Sequence, residues 1–109
     1  MEEQGKKTIL IIDDVKLFQL FLKYTLSPDN YELIFADTGK QGLDIIMEKD
    51  VDLLILDLEL PDINGLKVLE RVRALTRDME SVVQLKELPA IMITAYPTEK
   101  ARVQAERLG

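Results

Sequence analysis

Three aspartates and a threonine stand where hydrophobic runs end. The run from Thr8 to Ile12 ends in Asp13 and Asp14, the run from Asp52 to Leu56 ends in Asp57, and the run from Pro89 to Ile93 ends in Thr94 and Ala95. If these runs are parallel buried strands, all four polar side chains emerge at one carboxyl edge of one sheet. Two carboxylates ~4 Å apart repel by about 4 kcal/mol at an effective dielectric near 20. A bound cation removes that repulsion. The chain has no histidine and no cysteine, so the ligands offered are oxygens alone. They favour Mg²⁺ or Mn²⁺ over zinc, and the hydroxyl beside them suits a phosphoryl group.

The elements that must position these residues alternate. Residues 8–13 are apolar without alternation, the pattern of a strand buried on both faces. Residues 15–26 read as a helix with Val15, Phe18, Leu22, Thr25 and Leu26 on one face. Ser27 to Asn30 is a breaker cluster. Residues 31–36 form a second strand. Thr38 is the expected N-cap of a helix over 39–49, with Leu43, Ile46 and Met47 inward. Residues 52–57 form a third strand, and Pro61 to Gly65 a turn. Asn64 or Gly65 opens a third helix with Leu66, Leu69 and Val72 inward. Residues 89–94 form a fourth strand. Thr98 is placed to cap a last helix with Ala101, Ala105 and Leu108 inward and Gly109 just past its end. Segment 76–88 is long for a connection; the spacing of Met79, Val82 and Val83 predicts an extension of the third helix or a short extra one.

The order βαβαβαβα predicts an α/β fold, a parallel sheet covered on both faces with right-handed crossovers. In such doubly wound sheets ligands bind beyond the carboxyl ends of the strands, where the winding reverses. If the first and third strands are neighbours there, Asp13, Asp14 and Asp57 converge.

With 109 residues, 47% of them hydrophobic, the chain makes one domain with a real core. A net charge of -6 and a pI of about 4.6 argue against direct nucleic-acid binding. Without cysteine there is no disulfide, zinc site or thiol nucleophile, which is compatible with a reducing cytoplasm, the expected location. The opening residues lack a signal-peptide layout. No apolar stretch approaches the roughly 20 residues of a membrane span.

These motifs resemble the receiver domain of two-component response regulators, over nearly the whole chain. The resemblance rests on Asp13-Asp14, on the run Asp57-Leu58-Glu59-Leu60-Pro61-Asp62-Ile63-Asn64-Gly65, and on Thr94-Ala95, in that order. It implies a flavodoxin-like sheet of order 2-1-3-4-5. Asp57 would be the phosphoacceptor, a carboxylate nucleophile toward phosphohistidine. Asp14 would be the main side-chain ligand of Mg²⁺, with Asp57 and the Glu59 backbone carbonyl, and Asp13 would hold metal-bound water. Thr94 and the Ala95 N–H would donate to the phosphoryl oxygens, with Ala95 small to leave space. The partner implied is a histidine kinase or a histidine phosphotransfer protein.

The resemblance also implies a lysine at the end of a fifth strand, then a fifth helix. The sequence reaches Gly109 where that strand should begin, and Lys86 and Lys100 lie in the wrong places to replace the lysine. The expectation is a receiver domain over 1–109 that is C-terminally incomplete, a fragment of a longer protein. Its fourth strand would then be an open edge, with Ile91 and Ile93 short of cover, prone to pair between two copies as a homodimer or to aggregate.

Each residue alone has a structural reading. Asp13 and Asp14 suit a helix N-terminus, Thr94 a strand, and Pro61 and Gly65 a turn. Helix 15–26 carries a second apolar group, Leu17, Leu20 and Tyr24, with Phe21 at its boundary and Lys16, Gln19 and Lys23 as a polar strip. That group reads either as scattered surface apolars or as the docking face for the partner. Arg71, Arg73, Arg77 and Lys86 read as a solvated face. Two rival functions remain. A degenerate receiver would serve only as a protein-interaction platform. A Mg²⁺-dependent phosphohydrolase with an aspartyl-phosphate intermediate would carry Asp-x-Asp, whereas Glu59 holds the second position here. The expectation is a regulatory domain and not an enzyme with a separate substrate.

Overall fold

A computed structural model describes residues 5–26, 29–80, 88–94 and 98–109. The elements run β1 (Lys7–Ile12), α1 (Lys16–Thr25), β2 (Tyr31–Ala36), α2 (Gly39–Glu48), β3 (Leu53–Asp57), α3 (Gly65–Glu80), β4 (Ala90–Ile93) and α4 (Glu99–Leu108). The strands form one parallel sheet in the order β2-β1-β3-β4, the flavodoxin-like order as far as the described strands go. The inner strands, β1 and β3, each carry an unbroken apolar run, Ile9–Ile12 and Leu53–Leu56. Burial on both faces demands such runs.

Side chains alternate between the faces. Leu10, Ile12, Leu54 and Leu56 point to one side and meet Val68, Leu69 and Val72 of α3, with Leu43, Ile45 and Ile46 of α2 and Leu108 of α4 packed around them. Ile9, Ile11 and Ile55 point to the other side and meet Leu22, with Phe18 and Leu26 also of the α1 region. On this second side Ile91 of β4 is 51% exposed. β4 is an edge of the sheet among the described strands, as the sequence predicted.

Several boundaries and faces differ from the sequence reading. β3 starts at Leu53, because the Asp52 carboxylate leaves the strand to accept the Thr8 N–H at 2.7 Å while its own N–H donates to the Thr8 carbonyl at 2.9 Å. β1 ends at Ile12 and β4 runs only Ala90–Ile93. Val15 is the N-cap of α1 and is exposed, since the Asp13 carboxylate accepts its N–H and turns the chain before the helix starts. Thr25, in the last turn, is exposed too.

Met47 was expected inward but is 69% exposed. The inner line of α2 runs through Gly39, Gly42 and Ile46, which puts Met47 on the flank. A Cβ on Gly42 would lie 2.2 Å from Ile12 Cδ1, so the glycine marks the closest approach of helix to strand. Glycines carry no hydrophobic signal, which is why the periodicity, right for Leu43 and Ile46, also carried Met47 inward.

Arg73 departs most from expectation. It is buried, not solvated. Its Nε donates to the Leu108 carbonyl at 2.9 Å, Nη2 to Gly109 at 2.6 Å, and Nη1 to Leu88. Carbonyls at the end of α4 carry partial negative charge and offset the burial of the guanidinium. Arg71 is exposed as predicted. Segment 76–88 continues α3 as far as Glu80. The expectations for Met79, Val82, Val83, Arg77 and Lys86 fall on side chains outside the described residues.

Candidate functional site

Ile12 of β1 pairs with Leu56 of β3, so the residues that follow, Asp13 and Asp57, leave adjacent strands side by side. Asp13 keeps one more bond of the ladder, its N–H donating to the Ala36 carbonyl at 3.0 Å. Carboxylate oxygens of Asp13, Asp14 and Asp57 all lie within 4.8 Å of one another. Asp13 and Asp57 are buried and Asp14 is exposed, so the cluster has two walls and one face open to water. The convergence expected from strand adjacency is present.

The electrostatics follow from that placement. Burial holds the Asp57 carboxyl above the ordinary aspartate range against the pull of the Glu59 N–H, and repulsion from Asp13, Glu59 and Asp14 adds to the rise. Burial also raises Asp13, opposed by the Val15 N–H and reinforced by Asp14. Packing like charges together with few compensating donors is unfavourable for the bare protein. Such a cluster suits a hard divalent cation, which prefers oxygen ligands. The residues present fit Mg²⁺.

The loop after Asp57 returns tightly on itself. The Glu59 N–H donates to Asp57 Oδ1 at 3.1 Å. Glu59 and Asn64 form an isolated antiparallel bridge, and the Gly65 N–H donates to the Leu58 carbonyl at 2.8 Å. Asn64 then caps α3, its Oδ1 accepting the Leu66 N–H at 2.7 Å. A Cβ on Gly65 would stand 2.3 Å from the Asp57 carbonyl oxygen and 2.7 Å from Leu58 Cα. Those are backbone atoms that cannot yield, so the turn that holds Asp57 requires glycine there.

Thr94 joins from β4. The Leu58 N–H donates to the Ile93 carbonyl at 2.8 Å, which brings the residues just beyond, Glu59 and Thr94, side by side. The Thr94 hydroxyl donates to Glu59 Oε2 at 2.6 Å. The sequence reading assigned Glu59 only a backbone carbonyl; its side chain engages Thr94. Ala95 lies outside the described residues.

The sequence reading missed a second set of residues. Gln19, taken for part of a polar strip, is buried. Its Nε2 donates to the Asp13 carbonyl and, at 2.8 Å, to Asp37 Oδ1. Lys16 Nζ reaches both Asp37 oxygens at 2.8 and 2.9 Å. Asp62 accepts the N–H groups of Gly39 and Lys40 at 2.9 Å each, capping α2 together with Thr38, whose hydroxyl accepts the Gln41 N–H. Three loops at the carboxyl edge are thus tied together around the acidic cluster. Gln19 left a readable signal: it lies four residues after Val15 and three before Leu22, inside the apolar stripe.

On the opposite face of α1, Leu17 is 75%, Leu20 46% and Tyr24 81% exposed. Phe21 is exposed beside them and stacks on Phe18, ring centroids 6.1 Å apart. The apolar group read from the sequence therefore faces solvent.

A family model for the response regulator receiver domain matches residues 9–109. The chain is 40% identical over 87 residues to the response regulator ArlR of Staphylococcus haemolyticus, covering 80% of this chain and 35% of that protein. It is 34% identical over 101 residues to the transcriptional regulatory protein CpxR of Escherichia coli, covering 93% of this chain and 39% of that protein. Among solved structures, a response regulator receiver domain protein from Methanospirillum hungatei superposes with a TM-score of 0.82 at 28% identity, over 96% of this chain and 77% of that chain. The chain spans about a third of the length of these curated relatives.

Proposed function

The chain belongs to the response regulator receiver domain family, and on that premise we propose that Asp57 accepts the phosphoryl group. The observation that carries this reading is the position of Asp57: buried at the end of β3, with Asp13 and Asp14 oxygens within 4.8 Å. One Asp57 oxygen is held by the Glu59 N–H, which orients the carboxylate and leaves the other for attack. That oxygen forms a bond to phosphorus as the phosphorus–nitrogen bond of a phosphohistidine breaks, and the imidazole nitrogen leaves with the electron pair. The residues that would hold Mg²⁺ are Asp13, Asp14, Asp57 and the Glu59 backbone carbonyl. Bound there, the ion supplies charge neutralisation for a transfer that is mostly positioning and electrostatics. Thr94 and the Ala95 N–H receive the phosphoryl oxygens. In this reading the chain acts on itself only, through phosphorylation and autodephosphorylation, and works in the cytoplasm. Among the described residues no helix is long and apolar enough to cross a membrane.

Intact mass after incubation with a small phosphodonor and Mg²⁺ tests the reading. A single phosphoryl adduct should form and be lost in Asp57→Asn. An adduct that persists in that variant moves the acceptor elsewhere, and no adduct in the wild type leaves the interaction-platform reading.

The partner is a histidine kinase or histidine phosphotransfer protein docking on Leu17, Leu20 and Tyr24, which surround the outer face of a helix that begins just after Asp14. Leu20→Glu should slow phosphotransfer from the protein donor and spare phosphorylation by the small donor. Equal loss with both donors points to misfolding instead. β4 is an edge among the described strands and its Ile91 is exposed, which supports self-association between two copies of this chain; sedimentation at several concentrations checks it, and a strict monomer rules it out.

A further inference from the structure

Gln19 is a buried polar side chain that the phosphoryl chemistry leaves without a task. It lies in the first turn of α1, where its own N–H donates to the Val15 carbonyl at 3.1 Å. From there its side-chain amide reaches back to the end of β1. Both neighbours of that amide are acceptors, the Asp13 carbonyl and Asp37 Oδ1. Only the NH₂ end of the amide can serve two acceptors at once, so its surroundings fix its orientation.

The Asp13 carbonyl matters because of what shares its plane. A peptide unit is planar, so holding the oxygen of Asp13 also holds the nitrogen and Cα of Asp14. The Asp14 side chain is exposed and takes its direction from its backbone. The far end of the link is anchored as well. Asp37 directly follows β2 and receives Lys16 Nζ at 2.8 and 2.9 Å, and the Asp13 N–H donates to the Ala36 carbonyl beside it at 3.0 Å.

We infer that Gln19 is a positioning residue for the Mg²⁺ site: its amide fixes the peptide between Asp13 and Asp14 and so sets the affinity for the ion. The inference rests on the assignment of the acidic cluster as that site. Groups that orient metal ligands without touching the metal are worth about 10- to 100-fold in affinity. Gln19 acts through the backbone and belongs at the lower end. The charge of Asp37 is not required, since an asparagine there still offers Gln19 an oxygen. Linkage makes the effect reciprocal. If the bonds of Gln19 favour the ion, the ion strengthens those bonds.

The test is calorimetric titration with Mg²⁺ at a temperature where each protein is fully folded. Gln19→Met keeps an unbranched side chain of similar length and loses both donors, and its affinity should fall about tenfold. With phosphoramidate as donor, the Mg²⁺ concentration for half-maximal adduct formation should rise by the same factor, with the rate at saturating Mg²⁺ unchanged. A merely structural role would lower the melting temperature and leave the affinity of the folded protein at the wild-type value. That result, or a lowered rate at saturation with an unmoved midpoint, overturns the inference. Hydrogen exchange in the wild type decides the matter if Gln19→Met fails to fold. The side-chain amide protons of Gln19 should exchange more slowly than those of exposed Gln41, and Mg²⁺ should slow them about tenfold further. Exchange as fast as in Gln41, or no change with Mg²⁺ that calorimetry shows to be bound, overturns this inference alone. Absence of Mg²⁺ binding by the wild type overturns the metal assignment and this inference with it.

Discussion

Four of the aspartates along the carboxyl edge of the sheet, Asp14 aside, fall into two environments. Asp13 and Asp57 are buried beside other carboxylates, and their carboxyls are held above the ordinary range, by burial first and by repulsion in addition. Asp37 and Asp62 sit in the adjoining loops and are held below it. For Asp37 the leading cause is the hydrogen bond from Lys16, followed by that from Gln19. For Asp62 it is the N–H of Gly39, with Lys40 also contributing. The side chain is the same in all four. Whether its charge helps or harms the fold is decided by what faces it, donors or other anions. The loop pair stabilises the framework, and the buried pair is maintained at the expense of the bare protein. Raised carboxyls in a cluster that could hold a metal ion mark a candidate functional site.

The sharpest way to break the comparison is chemical. Asp57→Asn should abolish phosphoryl adduct formation entirely, while Asp62→Asn should retain it; loss in both would mean that the two environments are not functionally distinct. Metal binding comes next. Millimolar Mg²⁺ should raise the melting temperature of the wild type, by mass action worth about 2.7 kcal/mol at roughly 100 times Kd. Asp14→Ala should remove the response and Asp37→Asn should leave it. No Mg²⁺ response in calorimetry or melting would dismiss the metal assignment.

Stability without metal should move in opposite directions for the two groups. Asp62→Ala removes the side-chain acceptor at the start of α2 and should cost about 1 kcal/mol in denaturant unfolding. Asp57→Asn should instead raise stability at neutral pH. If both substitutions destabilise, the repulsion assigned to Asp57 is wrong.

The smallest effect is in the pH profile, and its sign also differs. For Asp57 the folded protein binds the proton more tightly than the unfolded chain, so stability falls as pH rises from the ordinary value of 3.8 through the raised one. The gain in Asp57→Asn should be absent below that window and complete above it. For Asp62 the folded protein holds the proton less tightly. Its contribution is present above 3.8 and lost as pH falls through the lowered value, so the deficit of Asp62→Asn should shrink in acid. Parallel profiles for the two variants would remove the distinction.

Much of this arrangement is readable from local pattern. Strands buried on both faces require continuous apolar runs, so β1 and β3 announce themselves, and with them Asp13, Asp14 and Asp57 at their ends. Caps declare themselves through Thr38, Asn64 and Thr98, whose side chains bond N–H groups within a few residues. The exposed face of α1 follows from helical periodicity alone. What the local pattern does not carry is the partner of a long-range polar group. Gln19, Asp62, Arg73 and the pair Glu59–Thr94 are joined across 15 to 36 residues of sequence. A hydrogen bond of that kind has no period and favours no residue type at its far end. The inner face of α2 was read correctly at Leu43 and Ile46 but not at Met47, for a related reason: close approach to β1 selects Gly39 and Gly42, residues with no side chain to mark the centre of that face. Sequence alone therefore determined the order of the elements and the acids at the strand ends. Only the tertiary structure decided which polar groups meet: the pairing of β1 with β3 sets Asp13 beside Asp57, and the packing of helices and loops on the sheet gives Asp37 and Asp62 their donors.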